Sequence, residues 1–123
     1  MQTKTAIWAG RLLSALPALI LLFSATMKLS TPPQLSEVFG QLGWPVELAV
    51  PLGLLELAVT LVYLMPRTAV LGAVLVTGYL GGAIGTHVRI GQPFWMQVLL
   101  GVSVWGGLYV REPRLHTLLP LRK

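Results

Sequence analysis

Long uncharged runs of apolar residues alternate along this chain with short segments that carry most of its charges and prolines. A helix that crosses about 30 Å of hydrocarbon needs about 20 mostly apolar residues. Four runs approach that length, and the spans that they predict cover residues 5–28, 47–65, 68–87 and 92–110. The last three runs are joined by very short links, so these helices must be antiparallel neighbours. The pattern predicts an all-α, four-helix transmembrane bundle.

The segment between the first two runs has a different pattern. After Thr31, Pro32 and Pro33, apolar residues recur at helical spacing and polar residues occupy the opposite face. The apolar positions are Leu35, Val38, Phe39 and Leu42. We interpret this segment as a short interfacial helix between spans 1 and 2. A plain loop with apolar anchors is the alternative.

Composition agrees with a membrane location. The chain is 54% hydrophobic and 11% charged, whereas a soluble globular domain carries about a quarter of its residues as charged side chains. Its 123 residues have room for a single domain, which we assign to residues 1–123. A cleavable signal peptide over the first run is the alternative, which we disfavour because its removal would leave three spans.

The basic residues are divided unequally between the two ends of the predicted bundle. The near end, where the N-terminus lies, has Lys4, Arg11, Arg67, Arg111, Arg114, Arg122 and Lys123. The far end has only Lys28 and Arg89. Lys and Arg collect on the cytoplasmic side of membrane proteins, so we expect both termini in the cytoplasm. Because the basic residues are scattered, nucleic acid is not an expected partner.

Glu56 is the costliest residue in the predicted spans. It falls near mid-bilayer, where a charge costs about 2.5 to 3.5 kcal/mol on the insertion scale, so it should face the interior of the bundle. Thr60 and Tyr63 share its helical face. We expect their hydroxyl groups to join a hydrogen-bond network with the Glu56 carboxyl group.

The first run offers two cations as partners for Glu56. Arg11 and Lys28 lie at opposite ends of one stripe of mostly small residues, and we favour Arg11, because Lys28 would have to bend into the bundle. A paired Glu56 is a structural lock, whereas an unpaired one would titrate and act as a proton or substrate site. We favour the pair, since structural ion pairs perturb carboxyl groups as readily as active sites do.

The third run carries a glycine face and a polar end. Gly78, Gly81, Gly82 and Gly85 share that face. We expect them to allow close helix packing within the protein, and a dimer interface is the alternative. His87 should point nearly opposite to the glycines and join Arg89 in a polar cluster at the far end. The alternative is an interfacial His87 with Arg89 reaching lipid headgroups. One histidine at each end and no cysteine predict no metal site and no thiol chemistry, and we find no catalytic motif.

Four stretches of the chain resemble the DoxX-like family of small bacterial membrane proteins. They are Arg11-Leu12-Leu13, Met27-Lys28-Leu29, Leu52-Gly53-Leu54-Leu55-Glu56-Leu57 and Tyr79-Leu80-Gly81-Gly82-Ala83-Ile84-Gly85-Thr86-His87-Val88-Arg89. The resemblance implies a four-helix bundle of the bacterial inner membrane with both termini inside. It also implies that Arg11, Lys28, Glu56 and His87 match the family's recurrent polar positions. The family's name comes from a subunit associated with thiosulfate and quinone oxidation.

We therefore expect an accessory or partner-binding membrane subunit that contacts lipids and another membrane protein. A quinone-like molecule is its expected ligand, and no resident cofactor is predicted. The alternative is a small proton-coupled exporter that uses Glu56. We disfavour it because such exporters carry their essential glutamate in the first helix, where this chain has Arg11. The sequence predicts neither an oligomeric state nor a catalysed reaction.

Overall fold

The computed structural model describes residues 3–121 of the chain. Arg122 and Lys123, which contribute to the charge asymmetry, lie outside the described residues. The helices are α1 (Lys4–Ser30), α2 (Pro33–Leu42), α3 (Ala49–Leu64), α4 (Ala69–Arg89) and α5 (Trp95–Arg111). Single turns of 3₁₀ helix cover Val46–Leu48 and Pro66–Thr68, and a longer one covers Pro113–Thr117.

The four long helices form the predicted bundle. α1 packs against α3 and α5, and α4 packs against the same two helices on their other sides. Three helical segments, Lys4–Ser30, Val46–Leu64 and Pro66–Arg89, are long and apolar enough to cross a membrane. α5 has 17 residues, the short end of the range of about 17 to 25 that spans a bilayer. It begins at Trp95 rather than at residue 92, because Gly91 adopts a left-handed conformation and Pro93 follows it.

The segment after α1 is helical, as the amphipathic pattern predicts. Pro33 begins α2, a position where its missing N–H is not needed. Gly43 ends α2 in the left-handed region with φ 78°, which glycine adopts without a steric penalty. Leu35 and Phe39 are buried, so the apolar face of α2 covers the far end of the bundle.

The near half of the bundle is tightly packed around a group of buried polar side chains. The Tyr63 hydroxyl group lies 2.8 Å from both the Ser14 Oγ and the Val104 carbonyl oxygen. Arg111 donates from Nε to the same Ser14 Oγ at 3.2 Å. These bonds join α1, α3 and α5 where no water is available to satisfy buried polar groups.

The predicted role of the α4 glycine face is wrong. A methyl group added at Gly78, Gly81, Gly82 or Gly85 would meet no atom within 4 Å. α4 instead packs through the face that contains Gly72, Ala73 and Val76, and a Cβ at Gly72 would overlap the backbone of Tyr63. The glycine pattern predicted the wrong packing face, because the face of α4 that is buried in the core contains small and apolar residues such as Ala73 and Val76.

The two kinds of glycine in α4 predict opposite effects of alanine. Gly72→Ala should lower the free energy of unfolding by about 1 to 3 kcal/mol, because the added methyl overpacks the α3–α4 contact. Gly81→Ala is the matched control and should be neutral or stabilising by up to about 1 kcal/mol, because alanine restricts the unfolded chain. Thermal unfolding in detergent micelles measures both. Equal effects of the two substitutions would contradict this packing.

Candidate functional site

A cavity of about 550 Å³ opens in the far half of the bundle. All five helices contribute to its wall, which α2 completes with Phe39 and Leu42. Most of the wall is apolar, but Lys28, Glu56, Tyr79 and several other polar residues line it as well. Ligand pockets commonly have volumes of about 300 to 1,000 Å³ and combine an apolar wall with a few polar groups. We refer to this space as the far-end cavity.

A compact ion pair stands in the wall of the far-end cavity. Lys28 Nζ lies 2.8 Å from Glu56 Oε1, and the Glu56 side chain is 2% exposed. Lys28 also donates to Ser24 Oγ at 2.7 Å, while the Ser24 hydroxyl group donates to Glu56 Oε1 at 3.2 Å. The carboxylate thus accepts two hydrogen bonds from α1. Such compensation is required, because an unpaired charge inside a bundle is far more costly than a paired one.

The favoured partner of Glu56, Arg11, is wrong. Arg11 is exposed and its guanidinium group lies 5.2 Å from the centre of the Trp8 ring. Lys28 reaches Glu56 because α1 and α3 approach closely at Gly53, where a Cβ would lie 3.0 Å from the Lys28 Cβ. Gly53 is one helical turn from Glu56, so the missing side chain opens a route for Lys28 to bend inward.

The expected contacts of Thr60 and Tyr63 with the carboxyl group are also wrong. Both residues are buried on the same face as Glu56, as the helical spacing predicts. However, the Thr60 hydroxyl group donates to the backbone carbonyl oxygen of Glu56 at 2.7 Å. The Tyr63 hydroxyl group lies in the near half of the bundle beside Ser14. Residues that share a helical face lie at different depths along the helix. Glu56 and Tyr63 therefore belong to two separate polar sites, one with Lys28 and one with Ser14.

α4 contributes two aromatic side chains to the cavity opposite the ion pair. Tyr79 lines the same cavity as Glu56. The His87 Nδ1 lies 2.7 Å from the Ala83 carbonyl oxygen, which can only accept, so Nδ1 is the donor of this hydrogen bond. His87 and Gly82 both line the cavity.

Arg89 connects α4 to the end of α2. It donates to the Leu42 carbonyl oxygen at 2.6 Å, and its guanidinium group lies 5.3 Å from the centre of the Trp44 ring. Trp44 in turn donates from Nε1 to Thr86 Oγ1 at 3.4 Å. Arg89 thus holds the covering segment in place, while His87 lines the cavity beneath it.

Five cavity residues with polar side-chain atoms were absent from the predicted site: Ser24, Trp44, Tyr79, Thr86 and Gln97. Two of them had a usable signal in the sequence. Ser24 precedes Lys28 by four residues, so the two side chains are neighbours on α1. Gln97 is an uncharged polar residue inside an apolar run, which is costly in a membrane unless the residue has a role.

Comparison with known proteins identifies one family. The model of the DoxX-like family matches residues 12–107, a range that contains every residue lining the far-end cavity. No curated protein and no solved structure matches the chain.

The ion pair predicts unequal effects of removing the two candidate cations. Lys28→Met leaves Glu56 buried without a cation and should lower the free energy of unfolding by about 3 to 5 kcal/mol at pH 7. Arg11→Met is the matched control and should change it by less than about 0.5 kcal/mol, because Arg11 is exposed. Combining Lys28→Met with Glu56→Gln should recover part of the loss. Thermal unfolding in detergent reports all three, and an Arg11→Met effect as large as that of Lys28→Met would disprove the assignment.

Proposed function

The chain belongs to the DoxX-like family, and on that premise we propose that it is an accessory membrane subunit whose far-end cavity binds a lipophilic, quinone-like molecule. Its long apolar helices and its family make it an integral membrane protein. The observation that carries the proposal is the combination of a ligand-sized apolar cavity with the Lys28–Glu56 pair in its wall.

The chemistry of the wall suits a ring that carries oxygen atoms. Apolar side chains such as Leu52 and Leu100 stabilise a ring and an isoprenoid or alkyl tail by removing them from water. The Lys28 ammonium group has three N–H donors, of which two are used by Glu56 and Ser24. The third donor is available for a carbonyl oxygen of the ligand.

The proposed role is binding rather than catalysis by this chain. Cysteine is absent from the sequence, so the protein has no thiol with which to exchange electrons with a bound quinone. A second membrane protein would therefore carry out the electron transfer, and this chain would hold the lipophilic molecule for it. A chain that binds a molecule for the electron transfer of a second protein is an accessory subunit of that protein.

The proposal includes an orientation in the bacterial inner membrane with both termini in the cytoplasm. Lys4, Arg11 and Arg67 are exposed at the near end, where Arg114 is also exposed but pairs with Glu112. At the far end, Lys28 and Arg89 are both engaged in contacts within the protein. The basic groups free to interact with lipid headgroups thus concentrate at one end, which supports a cytoplasmic near end.

The exporter alternative gains no support from the geometry. A proton-coupled carrier needs a carboxyl group that alternates between protonated and charged forms during transport. Glu56 instead accepts hydrogen bonds from Lys28 and Ser24, which tie its carboxyl group to α1. The pair is better suited to holding two helices and a ligand than to cycling protons.

Quinone binding can be measured through Trp44, which lines the cavity. A short-chain benzoquinone titrated into the protein in lipid nanodiscs should quench part of the tryptophan fluorescence in a saturable manner. Trp44→Phe should remove the saturable part. Trp8→Phe is the control, since Trp8 lies in the first turns of α1 at the near end, and it should leave that part intact. Quenching that never saturates, or that survives Trp44→Phe, would falsify binding in this cavity.

The orientation can be tested by single-cysteine labelling, because the chain has no cysteine of its own. Gln41→Cys places an exposed thiol on α2 and Thr117→Cys places one after α5. A membrane-impermeant maleimide should label Gln41→Cys on intact spheroplasts and label Thr117→Cys only after lysis. The reverse pattern would invert the proposed topology.

A further inference from the structure

A hydrogen-bond acceptor of the far-end cavity wall is left without a partner. Among the described residues, Gln97 Oε1 is the buried side-chain oxygen that accepts no hydrogen bond. A buried polar atom without a partner costs about 1 to 3 kcal/mol, and native structures contain few of them. Inside a membrane protein, lipid cannot supply the missing donor. A bound molecule that carries a hydrogen-bond donor would satisfy Gln97 Oε1.

Gln97 is placed where a ligand could supply that donor. It lies in the first turn of α5 and lines the far-end cavity. It also lines a shallow groove between α4 and α5, whose wall is almost wholly apolar and includes Gly81 and Gly101. The two other hydrogen-bonding side chains of the groove are engaged elsewhere, since Trp105 Nε1 donates to Thr77 Oγ1 and the Thr77 hydroxyl group donates to the Ala73 carbonyl oxygen.

Four of the other polar groups of the cavity are donors or are already engaged. Lys28 presents N–H groups, and the Ser24 hydroxyl group is used by the ion pair. The Thr86 hydroxyl group donates to the Gly82 carbonyl oxygen at 2.9 Å, and Trp44 offers only its indole N–H. The cavity thus presents a donor on α1 and an unused acceptor on α5.

We propose that Gln97 makes the far-end cavity prefer the reduced, hydroxyl-bearing form of its ligand, a quinol, over the oxidised quinone. This inference rests on the proposed function and adds the redox state of the ligand. A quinone oxygen only accepts hydrogen bonds, so it can satisfy Lys28 but not Gln97 Oε1. Each quinol hydroxyl group both donates and accepts. One molecule of quinol can therefore satisfy both walls.

The test compares three probes that share one ring and tail: a short-chain benzoquinone, its quinol, and the dimethyl ether of that quinol. The ether has the reduced ring but lacks the O–H groups. Under anaerobic conditions, the wild-type protein in nanodiscs should bind the quinol about fivefold more tightly than either of the other two, the effect of one net hydrogen bond of about 1 kcal/mol. Isothermal titration calorimetry gives the three affinities.

Gln97→Leu removes the acceptor while keeping a side chain of similar shape. In this variant the quinol affinity should fall about fivefold to that of the quinone, whose own affinity should not change. Gln92→Leu is the matched control, because Gln92 lies in the link before α5 and does not line the cavity. It should retain the quinol preference.

The outcomes separate this inference from the function on which it rests. Binding of none of the three probes refutes the proposed function. Equal binding of all three by the wild-type protein supports a quinone-like ligand but refutes the redox preference. A quinol preference that persists in Gln97→Leu assigns the preference elsewhere and overturns the role of Gln97.

Discussion

The buried ion pair between Lys28 and Glu56 is the interaction on which the far half of this bundle depends. A carboxylate that is 2% exposed in a membrane protein has no water to stabilise it, so the neighbouring helix must bring a cation to it. That requirement sets how α1 and α3 meet. Gly53 leaves space for Lys28 to enter, and Ser24 supplies the remaining hydrogen bond. The small residue at Gly53, the close approach of α1 and α3, and the charge pairing of Lys28 with Glu56 therefore depend on one another.

The two halves of the bundle use polar residues in different ways. In the near half, Tyr63, Ser14 and Arg111 bond to one another and to backbone, and helices approach so closely that a Cβ at Gly10 would lie 2.6 Å from the Arg111 Cβ. In the far half, the polar groups line an open cavity instead. Rigid packing at one end thus supports a hollow site at the other, the arrangement that a binding protein requires.

The sequence predicted the fold more completely than the site. The lengths of the apolar runs predict the number of spanning helices, because the bilayer thickness sets the length that a span needs. The short links predict that successive helices are antiparallel. The spacing around Glu56 also predicted its buried face. The sequence could not choose between Arg11 and Lys28, because that choice depends on the separation of two helix backbones at Gly53. Nor could it tell which face of α4 packs, since glycines and small apolar residues both permit close contact.

The exposed glycine face of α4 has a consequence for how a lipophilic ligand would enter the far-end cavity. Gly78 and Gly82 form part of the cavity wall, and no side chain stands over either of them. Oily molecules concentrate among the acyl chains and diffuse in the plane of the bilayer, so they meet the protein from the side. At Gly78 and Gly82 the backbone of α4 is exposed, whereas leucine side chains at these positions would have covered it. A lipophilic ligand of the proposed kind would therefore reach the cavity laterally from the bilayer, past the exposed backbone at Gly78 and Gly82.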